Sequence, residues 1–335
     1  MRPIIDIYCH IFPDRFFQEM TRVAPNLENI GKRLRGIVKL FDLDARFRDM
    51  DDVGEDYCQI ISLPNPPIED IVRPDVGIQL ARIANDAMAE LCRKHPERFP
   101  TFAAALCLTD VEGSVAEARR AIEDLGARGV LLYTNIAGRP LDDPAFEPLF
   151  AAVAELDAAI WLHPARTASM PDYAAETKSR FEMWWCFGWP YETSVAMARM
   201  VFCGLLDRHP NLKIITHHLG GMIPYYDGRM GAGMEVLGAR TSDEDYSKVL
   251  PSLKRPHMDY MHDFYGDTAM FGGGAHAIRC GLEFFGADHV VFATDAPLGP
   301  IAPTIKTVKG LELDAADERK LFCGNAEKLL NMKFG

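Results

Sequence analysis

The chain has no apolar run approaching the roughly 18 residues of a bilayer span, and no basic stretch leading into an apolar core near its start. These absences point away from a membrane protein or a secreted one, and the cytoplasm is the expected location. It also lacks any C-x-x-C pair. Its eight cysteines are dispersed, and several sit inside apolar runs, as Cys58 does in YCQIIS, Cys107 in AAALCLT and Cys203 in VFCGLL. A disulfide scaffold is therefore excluded in favour of reduced core thiols. Positive charge is scarce: 36 Lys and Arg face 48 Asp and Glu, a net charge of -12. That field repels nucleic acid and anionic membrane, while leaving room for a local basic site. Neither G-x-G-x-x-G after the first strand nor G-x-x-x-x-G-K-[ST] occurs, so dinucleotide and P-loop phosphate sites are not indicated.

What the chain does have is alternation, with no low-complexity linker across its 335 residues. Eight apolar runs read as strands: Ile4–His10, Cys58–Leu63, Phe102–Leu108, Val130–Thr134, Ala159–His163, Lys213–His217, Phe264–Thr268 and Val290–Asp295. Between them lie helical patterns such as GIQLARIANDAMAELCRKHPERF and VAEARRAIEDLGARG, whose apolar residues recur every three or four positions. Continuous apolar strands followed by amphipathic helices are what a parallel sheet buried on both faces requires. The expected fold is α/β, one (β/α)8 TIM barrel over residues 1–335. Two segments break the alternation, residues 12–44 and 167–191. Both follow strands that end in candidate ligands, so both are expected over the active face, carrying specificity.

Several of these strands close on a metal-ligand residue type: His10, His163, the pair His217 and His218, and Asp295. A parallel barrel gathers such strand ends on one face, where residues far apart in sequence can share an ion. Imidazoles with one carboxylate suit zinc, manganese or iron(II) better than calcium or magnesium. A single strand-end histidine is commonly structural and Asp295 alone could cap a helix; the case rests on their conjunction. Alternation along a strand lets only one of His217 and His218 point inward, without saying which.

IDIYCHIFP resembles the IDxHxH opening of the amidohydrolase superfamily. HP after the fifth strand, HLGGMIP after the sixth and TDAPLG after the eighth resemble its metal-dependent decarboxylases, among them aminocarboxymuconate-semialdehyde decarboxylase and γ-resorcylate decarboxylase. The likeness extends through RFRDMDDVGEDYCQIIS, LCRKHPERF, FYGDTA and CGLEFFGADHVVFATDAPLG, nearly the whole chain. It implies one divalent ion, zinc first with manganese or iron as alternatives, bound by His10, His163 and Asp295. It implies a catalytic His218, a proton-relaying Asp295 and a structural His217. The departure is Tyr8, where the family has His or Glu. Tyr8 is then a phenolate ligand, a neighbour of a three-residue site, or the mark of a decayed one. Cys9 should point away from Tyr8 and His10, since strand neighbours face opposite sides.

The resemblance implies nonoxidative decarboxylation of a small aromatic or unsaturated carboxylic acid. Hydrolysis of an amide or lactone, or hydration, uses nearly the same residues. A catalytically dead barrel serving as partner subunit is the reading of another class. Arg33, Arg35 and Arg46 lie where the decarboxylases hold a substrate carboxylate, and Arg35 aligns best. Arg240 is expected to reach a neighbouring subunit's site in a homo-oligomer, a dimer, and Arg229 to form an internal salt bridge. Trp184, Trp185, Phe187 and Trp189 are expected to line a pocket for a flat ring, with Trp185 touching substrate.

Overall fold

The computed structural model describes residues 3–24 and 31–334. Its parallel strands are β1 (Ile4–His10), β2 (Tyr57–Ser62), β3 (Ala103–Ala104), β4 (Gly129–Tyr133), β5 (Ala159–His163), β6 (Lys213–Thr216), β7 (Tyr265–Asp267) and β8 (Val290–Val291). One ladder runs β8-β7-β6-β5-β4-β3 and a second joins β1 to β2. Both seams between them are stitched. Ile61 bridges Phe102, and Gln59 N donates to Arg98 O at 2.9 Å. On the other side Cys9 bridges Ala296, and Ile7 N donates to Phe292 O at 3.0 Å. The eight strands thus close into a (β/α)8 barrel.

The helices pack where the pattern places them. The helix Pro74–Lys94 opens with Pro at its first position, and its Leu80, Ala81, Ala84 and Met88 are buried. The helix Val111–Glu123 begins at Asp110, whose carboxylate accepts from Gly113 N at 2.9 Å. Among the described residues no helix is long and apolar enough to cross a membrane.

Two strands are shorter than their apolar runs. β3 stops at Ala104 because Ala105 N donates to Asn85 Oδ1 at 2.8 Å and Cys107 N to Ser114 Oγ at 3.2 Å. β8 stops at Val291 because Ala293 N pairs with Thr268 Oγ1 and Thr294 N with Asp6 Oδ1, both at 3.0 Å. Side chains take ladder partners in each case. A small hairpin of Asn135–Ile136 with Arg139–Pro140 was not expected; it turns on Ala137 and Gly138, both at positive φ.

The two irregular segments hold short helices. Asp14–Val23, Gly31–Arg35 and Val38–Leu40 occupy the first, of which residues 25–30 lie outside the described residues. Met183–Cys186 and the start of Gly188–Phe202 occupy the second.

Candidate metal centre

Strand β1 alternates, so Tyr8 and His10 share a face, their ring centroids 5.6 Å apart, while Cys9 points away and contacts Asp6 O. Four residues beyond the end of β8, Asp295 enters at φ 65°, and its Oδ1 lies 3.1 Å from His10 Nε2 and 3.6 Å from His217 Nε2. His163 completes the cluster, 5.4 Å from His10 and 5.0 Å from His217 by ring centroid.

The expectation that only one of His217 and His218 turns inward is overturned. Both do, with ring centroids 3.8 Å apart. Alternation presumes extended backbone, whereas His218 and Leu219 are left-handed at φ 56° and 53°, followed by Gly220 at 71° and Gly221 at 65°. The turn requires glycine at its end, since a Cβ on Gly221 would stand 2.3 Å from Pro190 O. Left-handed non-glycine residues cost roughly 1–2 kcal/mol each, strain of the kind held at functional sites.

Asp267 at the end of β7 holds this turn. One carboxylate oxygen lies 2.5 Å from His217 Nδ1; the other accepts from His218 N and Ala269 N, both at 3.0 Å. Burial would keep His217 uncharged, but Asp267 and Asp295 together outweigh it and push its pKa up to about 9. Burial, then the field of His217, lowers His163 well below the ordinary range and His218 to about 3. Burial alone would raise Asp295, but the imidazoles of His10 and His217 facing its carboxylate hold it well below the usual carboxylate range. The centre favours positive charge beside Asp267 and Asp295 and keeps His163 and His218 neutral.

Five buried polar atoms here have no hydrogen-bond partner: Tyr8 Oη, His10 Nε2, His217 Nε2, His218 Nε2 and Asp295 Oδ1. Buried polar groups are nearly always satisfied, so a cluster of orphaned donors and lone pairs marks a place for another group. Single ligand atoms from His10, His163 and His217, and likewise from His217, His218 and Asp295, lie within 4.8 Å of one another. Three imidazoles and a carboxylate fit a divalent transition ion.

The mouth is walled by aromatic rings. His218, Trp189 and Phe271 lie nearly parallel, each outer ring 15° from the imidazole at 6.4 and 6.5 Å. Trp185 packs on Trp189 at 6.3 Å and on Phe271 at 6.0 Å, and Trp184 reaches Trp189 at 5.6 Å. Among the described residues Phe187 makes no ring contact with this wall and is 63% exposed, and Phe271 takes its place.

The arginines separate. Arg33 and Arg35 are both exposed, and it is Arg33 that stands over the Trp185 ring at 5.9 Å. Arg46 is buried, bonding Gln59 Oε1 at 2.8 Å and His10 O at 2.5 Å, and so braces β1 against β2. Arg229 forms no ion pair among the described residues and lies instead over Tyr226 at 5.7 Å. Arg240 shares a separate cleft with Arg229, Tyr191 and Met222. Sequence reasoning missed Asp267, Phe271 and Asn65, whose amide lies 3.1 Å from His163 Nδ1.

The amidohydrolase family profile matches residues 5–332. The chain is 30% identical over 305 residues to γ-resorcylate decarboxylase of Rhizobium sp. (strain MTP-10005), covering 88% of this chain and 89% of that one. To 2-amino-3-carboxymuconate-6-semialdehyde decarboxylase of Dictyostelium discoideum it is 29% identical over 312 residues, 90% of this chain and 80% of the relative. The crystal structure of dihydroxybenzoic acid decarboxylase from Polaromonas sp. JS666, with bound manganese and the inhibitor 2-nitroresorcinol, is similar with a TM-score of 0.81. Identity there is 27%, over 99% of this chain and 97% of that one.

Proposed function

The chain belongs to the amidohydrolase family, and on that ground we propose that it is a metal-dependent nonoxidative decarboxylase of a small aromatic carboxylic acid. The observation that carries the reading is the set of five unpartnered buried polar atoms opening onto parallel aromatic faces. His10, His163 and Asp295 would hold the ion, zinc by the chemistry of the donors or manganese as in the Polaromonas relative. When bound, a divalent cation draws electron density from a carboxylate and an adjacent oxygen.

The chain's own residues do the rest. Trp189 and Phe271 offer flat faces on which an aromatic acid stacks beside His218. Burial keeps His218 neutral, so its Nε2 offers a lone pair to a proton and readily gives that proton up again. The substrate's hydroxyl proton passes to that nitrogen and then to the ring carbon as its bond to the carboxylate carbon breaks. Carbon dioxide leaves, and the phenolate product regains a proton from solvent. Trp185 and Arg33 close the outer side, an indole face and a cation suited to a second anionic or polar substituent.

Exposed Tyr173, Phe181 and Phe187 on the loop after β5 support a homo-oligomer, and eight free cysteines support a reducing cytoplasm. The reaction is tested by incubating the metal-loaded protein with hydroxybenzoates and carboxymuconate-type acids, and in parallel with lactones and amides. Carbon dioxide release from the first set is expected. Turnover confined to the second would move the protein to the hydrolases.

A further inference from the structure

Tyr8 leaves the fourth protein position of the metal site open, and we infer that His217 fills it, positioned by Asp267, while Tyr8 is not a ligand. The inference rests on the metal-dependent reading above and concerns which residues of this chain hold the ion.

Three imidazoles share one arrangement. His10 Nδ1 lies 3.0 Å from Leu63 O, His163 Nδ1 2.8 Å from Pro164 O and His217 Nδ1 2.5 Å from Asp267 Oδ2. Carbonyl and carboxylate oxygens only accept, so each favours the tautomer with the proton on Nδ1 and a lone pair on Nε2, with the Asn65 amide at 3.1 Å and Ser62 Oγ at 3.2 Å also beside the Nδ1 atoms of His163 and His10. That pattern, an imidazole fixed through its far nitrogen by an oxygen, is the usual support of a metal-binding histidine. The ligand atoms of these three residues lie within 4.8 Å of one another, so a closure of about an ångström brings all three to ~2 Å from one ion. His217 Nε2 is also 3.6 Å from Asp295 Oδ1 and, like His10 Nε2, is buried without a partner.

His218 differs. Among the described residues no oxygen holds its Nδ1, and its ring lies between Trp189 and His217, nearer the aromatic mouth. Asp267 is itself fixed, its second oxygen taking two backbone N–H groups, so the His217 ring has little freedom to turn. Tyr8 is the platform for that ring, stacked on it at 4.1 Å and 27°. A phenol must also lose its proton to ligate, which an imidazole held through Nδ1 need not do. The ligand that β1 does not offer is therefore supplied by β6, where the doublet places one histidine on the ion and the next on the substrate side.

The test uses the full chain, stripped by chelation and reloaded with zinc without any substrate. Zinc affinity is read by competition with a chromophoric chelator for wild type, Tyr8→Phe, His217→Gln and Asp267→Asn, with a circular-dichroism melt of each. Tyr8→Phe should bind as wild type does, Asp267→Asn roughly 10–100-fold more weakly and His217→Gln at least ~100-fold more weakly. Unchanged affinity in His217→Gln or Asp267→Asn, or a loss confined to Tyr8→Phe, overturns the assignment. Should His217→Gln not fold, wild-type protein loaded with iron(III) decides. A tyrosinate ligand gives an intense visible charge-transfer band; its absence is expected, and its presence overturns the inference. Because no substrate is present, a protein that binds zinc through His217 yet decarboxylates nothing would refute the proposed reaction and leave this assignment standing.

Discussion

The indole nitrogen of Trp161 on β5 donates to the carbonyl oxygen of Ile7 on β1 at 2.7 Å, across the inside of the barrel. Trp161 is fully buried, and the two strands it ties carry His163 and the pair Tyr8 and His10. Trp161→Phe keeps an apolar ring but removes the donor, leaving a buried carbonyl short of a partner. The expected cost is ~1–3 kcal/mol in urea unfolding with little change in m-value. Weaker metal retention should accompany it, because two supporting strands lose their direct link.

Ligand and proton-transfer roles separate by substitution. His163→Ala and Asp295→Ala remove groups proposed to hold the ion, so bound metal and activity should disappear together. His218→Gln should keep the metal and lose turnover by roughly 100-fold or more, the scale of general acid–base catalysis. Metal analysis of the purified variants beside a carbon dioxide assay checks both. Full metal in His163→Ala with loss of metal in His218→Gln would reverse the roles.

The strands were readable because a strand buried on both faces is a continuous apolar word, as in AIWLH and YCQIIS. Their ends were not, since the ladder stops where Asn85 or Asp6, distant in sequence, takes a backbone N–H. His10, His163 and Asp295 were legible as strand-terminal ligand types. The inward turn of both His217 and His218 was not, because alternation assumes an extended chain and His218 leaves it at φ 56°. Asp267 left a faint signal, a carboxylate inside the short buried strand YGD. Phe271 left none, since it reaches the mouth from a turn after β7.

Arg33 and Arg35 are two positions apart, and only the three-dimensional structure distinguishes them. Arg33 stands over Trp185 and Arg35 does not. If the guanidinium at the mouth anchors a substrate anion, Arg33→Ala should raise KM by roughly 10-fold or more, the worth of one charge-assisted hydrogen bond. Arg35→Ala should leave KM nearly unchanged. Steady-state kinetics on the two variants decides, and an effect confined to Arg35 would return the anchor to the residue favoured by alignment.

Glu69 lies on the turn Ile68–Asp70 after β2, among Leu63, Ile68, Leu106 and Leu131, and its Oε2 is buried without a partner. Burial, with a smaller push from the Asp70 charge, raises its pKa from 4.5 to about 8. The sign of the consequence follows from proton counting. Between pH 4.5 and 8 the folded chain keeps a proton on Glu69 that the unfolded chain has lost, so this group's contribution falls as pH rises through that window. A shift of this size corresponds to a few kcal/mol, ~5 at most. Glu69→Gln retains the shape and removes the charge, so the variant should match wild type near pH 5 and exceed it in melting temperature at pH 8.5. Thermal melts of both proteins at the two pH values check this. Equal melting temperatures at pH 8.5 would mean that the Glu69 carboxylate finds water or a cation in the folded protein and ionises near its ordinary pKa.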